Sequence, residues 1–253
     1  MSHRKYSSRN VFPFLLLIFF GLGGIFFLNL GFHFFDRTKD AEKKEAILYV
    51  EKGSAQVLTW GSSAWTEVQG QKKLLEGDTV HVSKAGRALV YFYGKNIIRL
   101  DENTEFQMEA LNINGTVSSA EIILHQGAIW VHDAADDFSF YVRSDDMSFE
   151  PLDTTMSSVR IFSLTQDVSG TVRVIDGGLH VKIFDRNEPE RVLESFALKS
   201  GESMNIGAKD IRALENFYTV QPISLIDEDF KQSQWYSWNI SEDASPMKFL
   251  LDF

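Results

Sequence analysis

Cysteine is absent from all 253 residues of the sequence. Its absence excludes disulfide bonds, thiol nucleophiles, iron–sulfur clusters and zinc sites built on thiolates. An excess of basic residues is also missing, since 25 Lys and Arg stand against 35 Asp and Glu and the formal net charge is −10. Because phosphate binding needs a basic face, we expect no nucleic-acid partner.

Sequence motifs of catalysis are equally scarce. The chain has neither a Gly-x-Ser-x-Gly elbow nor a Gly-rich phosphate loop followed by Lys and Ser or Thr. The histidines in the body of the chain are scattered, and no pair has the i, i+4 spacing of a helical metal site. They are His81, His125, His132 and His180.

The acidic groups lack the ligand spacing of a calcium loop and are typical of solvated turns. They are Asp133, Asp136 and Asp137, then Asp145 and Asp146, then Asp227, Glu228 and Asp229. We therefore expect no enzyme activity, no metal and no cofactor. Paired carboxylates for glycoside hydrolysis stay open, because they need only a separation in space.

Residues 11–35 carry no charged side chain. A helix of this length reaches about 37 Å, more than the roughly 30 Å of a hydrocarbon core. A cleaved signal peptide is the alternative, but its apolar region is usually about 7 to 15 residues long and ends at small residues. This run is longer and ends Gly-Phe-His-Phe-Phe. We predict an uncleaved transmembrane helix embedded in the lipid bilayer.

Basic residues lie on both sides of this helix, so their count does not decide its orientation. A short basic tail stays inside readily, whereas a long domain translocates largely regardless of its charge. We therefore predict a single-pass protein of the cell membrane with residues 1–10 in the cytoplasm. The mixed-charge segment 36–45 is expected to be a linker, and everything beyond it is expected to lie outside the cytoplasm.

From residue 46 to residue 206, short apolar or alternating runs recur between Gly, Asn and Asp. Many short strands without a helical period predict an all-β domain, an antiparallel sandwich or β-roll. The runs are 47–50, 55–60, 79–82, 88–93, 97–100, 104–108, 117–124, 128–132, 138–142, 159–164, 171–175, 179–184, 192–198 and 203–206. The phrases Gly53-Ser-Ala-Gln-Val57 and Gly178-Leu-His-Val181 are each followed, 24 and 23 residues after the Gly, by a second Gly and an acid, Gly77-Asp78 and Gly201-Glu202. This echo predicts two related halves.

Four phrases of this region together resemble the FecR, or ferric-citrate-regulator-type, family. They are Gly53-Ser-Ala-Gln-Val57, Leu75-Glu-Gly77-Asp78, the stretch from Ala88 to Thr104, and the stretch from Leu124 to Val131. The resemblance spans roughly residues 46–206. One departure is Ser157-Ser158-Val159-Arg160, where the family usually has Gly-Thr before a strand.

The resemblance implies a β domain outside the cytoplasm behind one membrane span, and it implies no catalytic residues. Family members that regulate iron uptake also carry a cytoplasmic module that engages a sigma factor. Here about ten residues precede the predicted helix, too few to bury a useful interface. We therefore expect a non-enzymatic domain that binds an envelope protein or polymer as a scaffold or sensing component. A transmembrane regulator of a sigma factor and a carbohydrate-binding surface protein are the alternatives.

Two aromatic groups are the candidate binding residues. Trp60 and Trp65 flank Gly61-Ser-Ser-Ala64, a predicted hairpin tip that either packs on the domain or presents the rings for stacking on a glycan. Trp235 and Trp238 lie in the aromatic C-terminal segment 207–253. We expect that segment either to dock on the β domain or to engage a partner.

Overall fold

A computed structural model describes most of the chain beyond residue 45. The described residues are 46–92, 96–114, 117–133, 138–144, 147–152, 160–166, 169–185, 188–208, 218–220 and 223–244. The predicted cytoplasmic tail, transmembrane helix and linker, residues 1–45, lie outside them. Within the described ranges, no helix is both long enough and apolar enough to cross a membrane.

Strands dominate the described residues, and two helices follow them. The strands are β1 Ala46–Lys52, β2 Ala55–Leu58, β3 Trp65–Val68, β4 Gln71–Leu74, β5 Thr79–Val82, β6 Arg87–Tyr91, β7 Ile97–Leu100, β8 Glu105–Asn114, β9 Val117–Asp133, β10 Phe138–Ser144, β11 Met147–Pro151, β12 Arg160–Gln166, β13 Ser169–Asp176, β14 Gly178–Phe184, β15 Val192–Lys199, β16 Glu202–Ala208, β17 Tyr218–Val220 and β18 Ser224–Leu225. The helices are α1 Glu228–Lys231 and α2 Gln234–Ala244. The predicted all-β class is confirmed for the domain, and the helices belong to the segment predicted as an aromatic tail.

The strands pair into two sheets. Sheet A has the order β4-β1-β6-β7-β9-β12-β13-β16, with β17 and β18 both paired to β16. Sheet B has the order β3-β2-β5-β8-β9-β10-β11-β14-β15. The prediction of antiparallel pairing is wrong at one place, because residues 138–143 of β10 run parallel to residues 118–123 of β9. All other pairings among the described strands are antiparallel.

Strand β9 belongs to both sheets. Its first half pairs with β8 and β10 in sheet B, and its second half pairs with β7 and β12 in sheet A. Gly127 marks the change with a φ of +91°, a conformation that glycine adopts at little cost. The sequence predicted two strands separated at this glycine, whereas the chain continues as one bent strand of 17 residues. The second half of β9 also explains the parallel pair, because it carries the chain through sheet A before β10 returns to sheet B.

The two sheets share one hydrophobic core. Buried and half-buried side chains alternate along all seven residues of β14, as expected for a strand with one face in a core. Phe92, directly after β6 of sheet A, contacts Phe138 and Phe140 on β10 of sheet B, with ring centroids 5.7 and 5.0 Å apart. Full burial of one such side chain stabilises the fold by about 1.5–3 kcal/mol.

The repeated sequence phrases Gly77-Asp78 and Gly201-Glu202 form the same kind of turn at two places in the fold. Gly77 and Gly201 have φ angles of +85° and +83°. In the first turn, the Leu75 N–H donates to the Asp78 carboxylate at 3.0 Å. In the second, the Lys199 N–H donates to the Glu202 carboxylate at 2.7 Å. The likeness is local, because the first turn leads from sheet A to sheet B and the second leads from sheet B to sheet A.

Candidate functional site

The outward face of sheet A is covered, although it points away from the shared core. In β7, Ile98 and Leu100 belong to the core, so Arg99 between them faces the opposite side. Arg99 is nevertheless only 2% exposed. Its cross-strand neighbours on this face, Leu89 of β6 and Trp130 of β9, are buried as well. Helix α2 supplies the groups that cover them.

Asp243, in the last turn of α2, joins the helix to sheet A. Arg99 Nη1 donates to Asp243 Oδ1 at 2.6 Å, and Trp130 Nε1 donates to Oδ2 at 3.0 Å. His132 Nδ1 lies 2.7 Å from Oδ1. Burial alone would raise the pKa of Asp243, but the His132 hydrogen bond and the Arg99 charge outweigh it and hold that pKa below its usual value. Since the carboxylate is ionised and only accepts, His132 carries its hydrogen on Nδ1 in this contact.

The middle of α2 adds further contacts. Asn239 is fully buried, and its Oδ1 accepts a long hydrogen bond of 3.4 Å from Arg99 Nη1. Asn239 Nδ2 donates to the carbonyl of Trp235 at 2.8 Å. The Arg87 guanidinium lies over the Trp238 ring, 4.7 Å from its centroid, at a distance typical of a cation–π contact. The helix therefore presents hydrogen-bonding groups, rings and a carboxylate to a face that carries the guanidinium groups of Arg87 and Arg99.

Two of the four predicted binding residues lie in this docked helix. Trp235 is buried, and its ring packs against Trp238 with centroids 5.3 Å apart. Of the two alternatives for the C-terminal segment, docking on the β domain is what the structure has for residues 234–244. Trp238 is half-buried, with the Arg87 guanidinium over its ring.

Helix α1 extends the covered face towards β13. The Phe230 N–H donates to the Asp227 carboxylate at 2.6 Å, so Asp227 is the N-cap of α1. This hydrogen bond, helped by Arg173, lowers the pKa of Asp227. The Arg173 guanidinium of β13 lies 4.1 Å from the centroid of the Phe230 ring. Tyr236 then contacts both Phe230 and Trp130, which joins α1 and α2 into one covering segment.

The other two predicted binding residues lie at the surface. Trp60 is 77% exposed and Trp65 is 41% exposed, and Leu75 in a neighbouring turn is also exposed. The Trp60 ring lies directly on Gly77, where any β-carbon would overlap the indole. The buried Asp78 carboxylate accepts from the backbone N–H groups of Trp60 and Leu75, both at 3.0 Å. We call Trp60, Trp65 and Leu75 the Trp60 surface.

The remaining polar candidates of the sequence include His81 and the acidic turns. His81 Nδ1 lies 3.5 Å from a Glu105 carboxylate oxygen, and the His81 ring meets the edge of Trp65. Across the described ranges, no group of three His, Cys, Asp or Glu side chains could hold a metal ion. Four acidic residues of the predicted turns lie outside those ranges. They are Asp136, Asp137, Asp145 and Asp146.

The central part of the chain matches a known family. Residues 78–180 fit the family model described as FecR protein. They form a FecR domain. The predicted resemblance is confirmed over these residues, which run from the turn before β5 into β14. The FecR domain thus contains Arg99, Trp130 and His132, whereas Asp243 and its helix lie beyond it.

Comparison with solved structures adds two crystal structures of a candidate anti-sigma factor from Parabacteroides distasonis, at 1.65 and 2.50 Å resolution. Their sequences are 13% and 12% identical to this chain over the aligned part, and the TM-score is 0.41 for each. The alignments cover 56% of this chain and 58% of the other, so this chain spans less than two thirds of that protein. None of the curated proteins matches this chain.

Sequence reasoning missed the contact between Arg99 and Asp243. A signal existed for Arg99, because a single charge interrupts the apolar strand Ile97–Leu100. A buried Arg is rarely tolerated without an ionic partner. The identity of that partner had no local signal, because Asp243 lies 144 positions further along the chain.

Proposed function

We propose that this chain is a non-catalytic, membrane-anchored FecR-type regulatory protein whose β domain lies outside the cytoplasm and binds an envelope protein through the Trp60 surface. The uncharged run 11–35 supports the anchor, and the FecR domain at residues 78–180 supports the regulatory class. The regulatory readout is a change in gene expression when the Trp60 surface is occupied.

One observation carries the proposed binding role, namely an indole that is both exposed and held in place. Trp60 exposes 77% of its surface, yet Gly77 lies beneath its ring and Asp78 binds its backbone. Tryptophan dominates protein interfaces energetically, and an immobilised side chain loses little further entropy on binding. The contact with Gly77 therefore lowers the cost of ordering this ring when a partner binds.

The neighbours of Trp60 favour a protein over a glycan. Asp78 binds the backbones of both Trp60 and Leu75, so the aliphatic side chain of Leu75 belongs to the same surface. A mixed aromatic and aliphatic surface suits the apolar centre of a protein interface. Glycan binding by stacking on Trp60 and Trp65 is the competing outcome of the test.

The membrane topology is tested first, with an epitope placed after Phe253 in the full chain. Protease added to cells with any outer membrane permeabilised is expected to remove the epitope while a cytoplasmic control protein stays intact. Protection that ends only when the inner membrane is lysed would contradict the proposed location.

Binding is tested by placing a photo-reactive residue at position 75 of the full chain in its own cells. We expect a discrete protein adduct that is absent when the same residue is placed at Glu190, in the exposed turn before β15. Trp60→Ala is expected to abolish the adduct. Leu225→Ala, which trims another highly exposed apolar side chain on β18, is the matched control and should leave the adduct unchanged.

Three outcomes would count against this proposal. An adduct that survives Trp60→Ala would place the partner elsewhere. Retention on cell-wall polysaccharide that depends on Trp60, without a protein adduct, would favour the glycan alternative. Loss of the adduct on Trp60→Ala without any change in gene expression would indicate a scaffold rather than a regulator.

A further inference from the structure

The face beneath α2 combines ionisable groups with two buried apolar residues, Leu89 and Trp130. Arg99 and His132 lie under the helix, with Arg87 and Glu51 towards its edge. A face that never leaves a core is normally apolar, whereas surfaces that alternate between solvent and a partner are more polar. Arg99 lies between Leu89 and Trp130 in the strand register, so uncovering this face exposes a mixed surface rather than a continuous apolar patch.

Helix α2 is a weak helix by its own sequence. Its eleven residues, QWYSWNISEDA, are rich in aromatic, Ser, Asn and Ile residues, which have middling helix propensity. Two acids, Glu242 and Asp243, stand in its last turn, where they oppose the helix dipole. Isolated helices shorter than about 12–15 residues are marginal in water. The helical conformation of α2 therefore depends on its contact with sheet A.

The docked state also brings like charges together. Burial, followed by the charge of Glu242, raises the pKa of Glu51 on β1. The hydrogen bonds of Arg99, Trp130 and His132 to Asp243 favour docking. Docking thus combines these polar contacts with the packing of Tyr236 on Trp130, and it works against the repulsion between Glu242 and Glu51, as suits a contact that opens reversibly.

We propose that α2 is a reversible clasp, and that the face of the FecR domain beneath it binds a partner's helix that presents aromatic rings and a carboxylate in the manner of α2. Arg99, His132 and the Trp130 indole hydrogen-bond the partner's carboxylate as they do that of Asp243. The Arg87 guanidinium lies over one of the partner's rings as it does over Trp238. The FecR domain supplies every one of these receiving groups, and α2 lies outside that domain. The proposal uses a different surface from the Trp60 surface and stands or fails independently of it.

The first test is hydrogen exchange of the full chain in detergent micelles. We expect the amides of α2 to exchange through local opening, well before those of β7 and β9. Asp243→Asn should speed exchange in α2 by about tenfold or more, because it leaves Arg99 without its charged partner, while β7 and β9 keep their protection. Glu242→Gln is the matched control, since it removes a neighbouring carboxylate that repels Glu51, and it should not speed exchange.

A second variant tests the docking of α2 without leaving a buried charge unpaired, so the test does not depend on how Asp243→Asn affects the rest of the fold. Arg87→Gln removes the ring contact to Trp238 at a half-exposed position, and we expect exchange in α2 alone to rise several-fold. Exchange of α2 at the same rate as β7 and β9 in the wild-type chain, with no selective effect of either variant, would make α2 a permanent part of the fold and overturn the proposal.

The second test measures binding in trans. A fluorescent peptide of residues 228–244 is added to the full chain carrying Asp243→Asn, whose own clasp is weakened. We expect saturable binding that falls about tenfold when the peptide itself carries Asp243→Asn. The wild-type chain should bind the peptide more weakly, because its tethered α2 competes at high effective concentration. Equal binding of the two peptides, or no binding to either chain, would overturn the proposed surface.

Discussion

Gly127 lies so close to Thr104 that a β-carbon added to the glycine would overlap the backbone of the threonine. Thr104 Oγ1 donates to the carbonyl of Ala128 at 3.0 Å and accepts from the Ala128 N–H at 3.1 Å. The contact lies where β9 changes sheets. The threonine side chain therefore replaces ladder hydrogen bonds that the bend interrupts.

Gly127→Ala tests this bend. The new β-carbon meets the Thr104 backbone and also forces a non-glycine residue to a φ of +91°, so we expect the free energy of unfolding to fall by about 3 kcal/mol or more. The matched control is Gly201→Ala, where φ is +83° but no atom lies within 4 Å of the new β-carbon. There we expect a loss of about 1 kcal/mol. Urea denaturation of both variants decides, and equal losses would contradict the account.

Asp78→Ala tests the two hydrogen bonds by which the Asp78 carboxylate joins the backbones of Trp60 and Leu75. Asp78 is nearly fully buried and accepts from two backbone N–H groups, so its removal leaves two donors without partners. We expect unfolding free energy to fall by about 2–4 kcal/mol. Glu202→Ala removes the single acceptor of the second, more exposed turn and should cost under about 1 kcal/mol. A larger loss at Glu202 would refute this ranking.

A double-mutant cycle tests the contact between Arg99 and Asp243. Each single change, Arg99→Met or Asp243→Asn, removes one side of this ion pair and should lower the free energy of opening of α2, measured by hydrogen exchange, by about 1.5–3 kcal/mol. The double variant should cost clearly less than the two losses together, because no unpaired charge is left. The exposed pair of Lys231 and Glu228, 2.8 Å apart, should show no measurable coupling. Additive losses at Arg99 and Asp243 would mean that the two side chains do not interact energetically.

The interaction of Glu51 with Glu242 of α2 predicts that the stability of the fold depends on pH. The pKa of Glu51 is raised in the folded state by burial and by Glu242, so the folded chain binds this proton more tightly than the unfolded chain. Its contribution to stability is therefore present at low pH and is lost as pH rises through the raised pKa.

Glu51→Gln removes that dependence. We expect the variant to melt at a higher temperature than the wild type near pH 7, and the difference to vanish towards about pH 4. Glu190→Gln, in an exposed turn, serves as the control for removal of one carboxylate. A variant that is less stable than the wild type near pH 7 would show that Glu51 contributes as a charged partner instead.

Strands with strong apolar patterns were predictable from the sequence. Thr79–Val82 and Ile97–Leu100 begin and end at the predicted residues. Trp65–Val68 and Gln71–Leu74 were missed, because each is an edge strand with only one buried residue and so shows no alternation. The sequence predicts separate strands on either side of Gly127, because local sequence cannot distinguish a glycine that ends a strand from one that bends it.

The sequence by itself determined the all-β domain, its resemblance to the FecR family and the turn chemistry of Gly77 and Gly201, because these depend on neighbouring residues and on conformations that few residue types adopt. Tertiary structure alone decided which tryptophans are exposed: Trp60 lies on a glycine at the surface, and Trp235 lies within the docked segment. It also decided that Arg99 meets Asp243, because a contact between residues so far apart in the chain depends on the path of every strand between them.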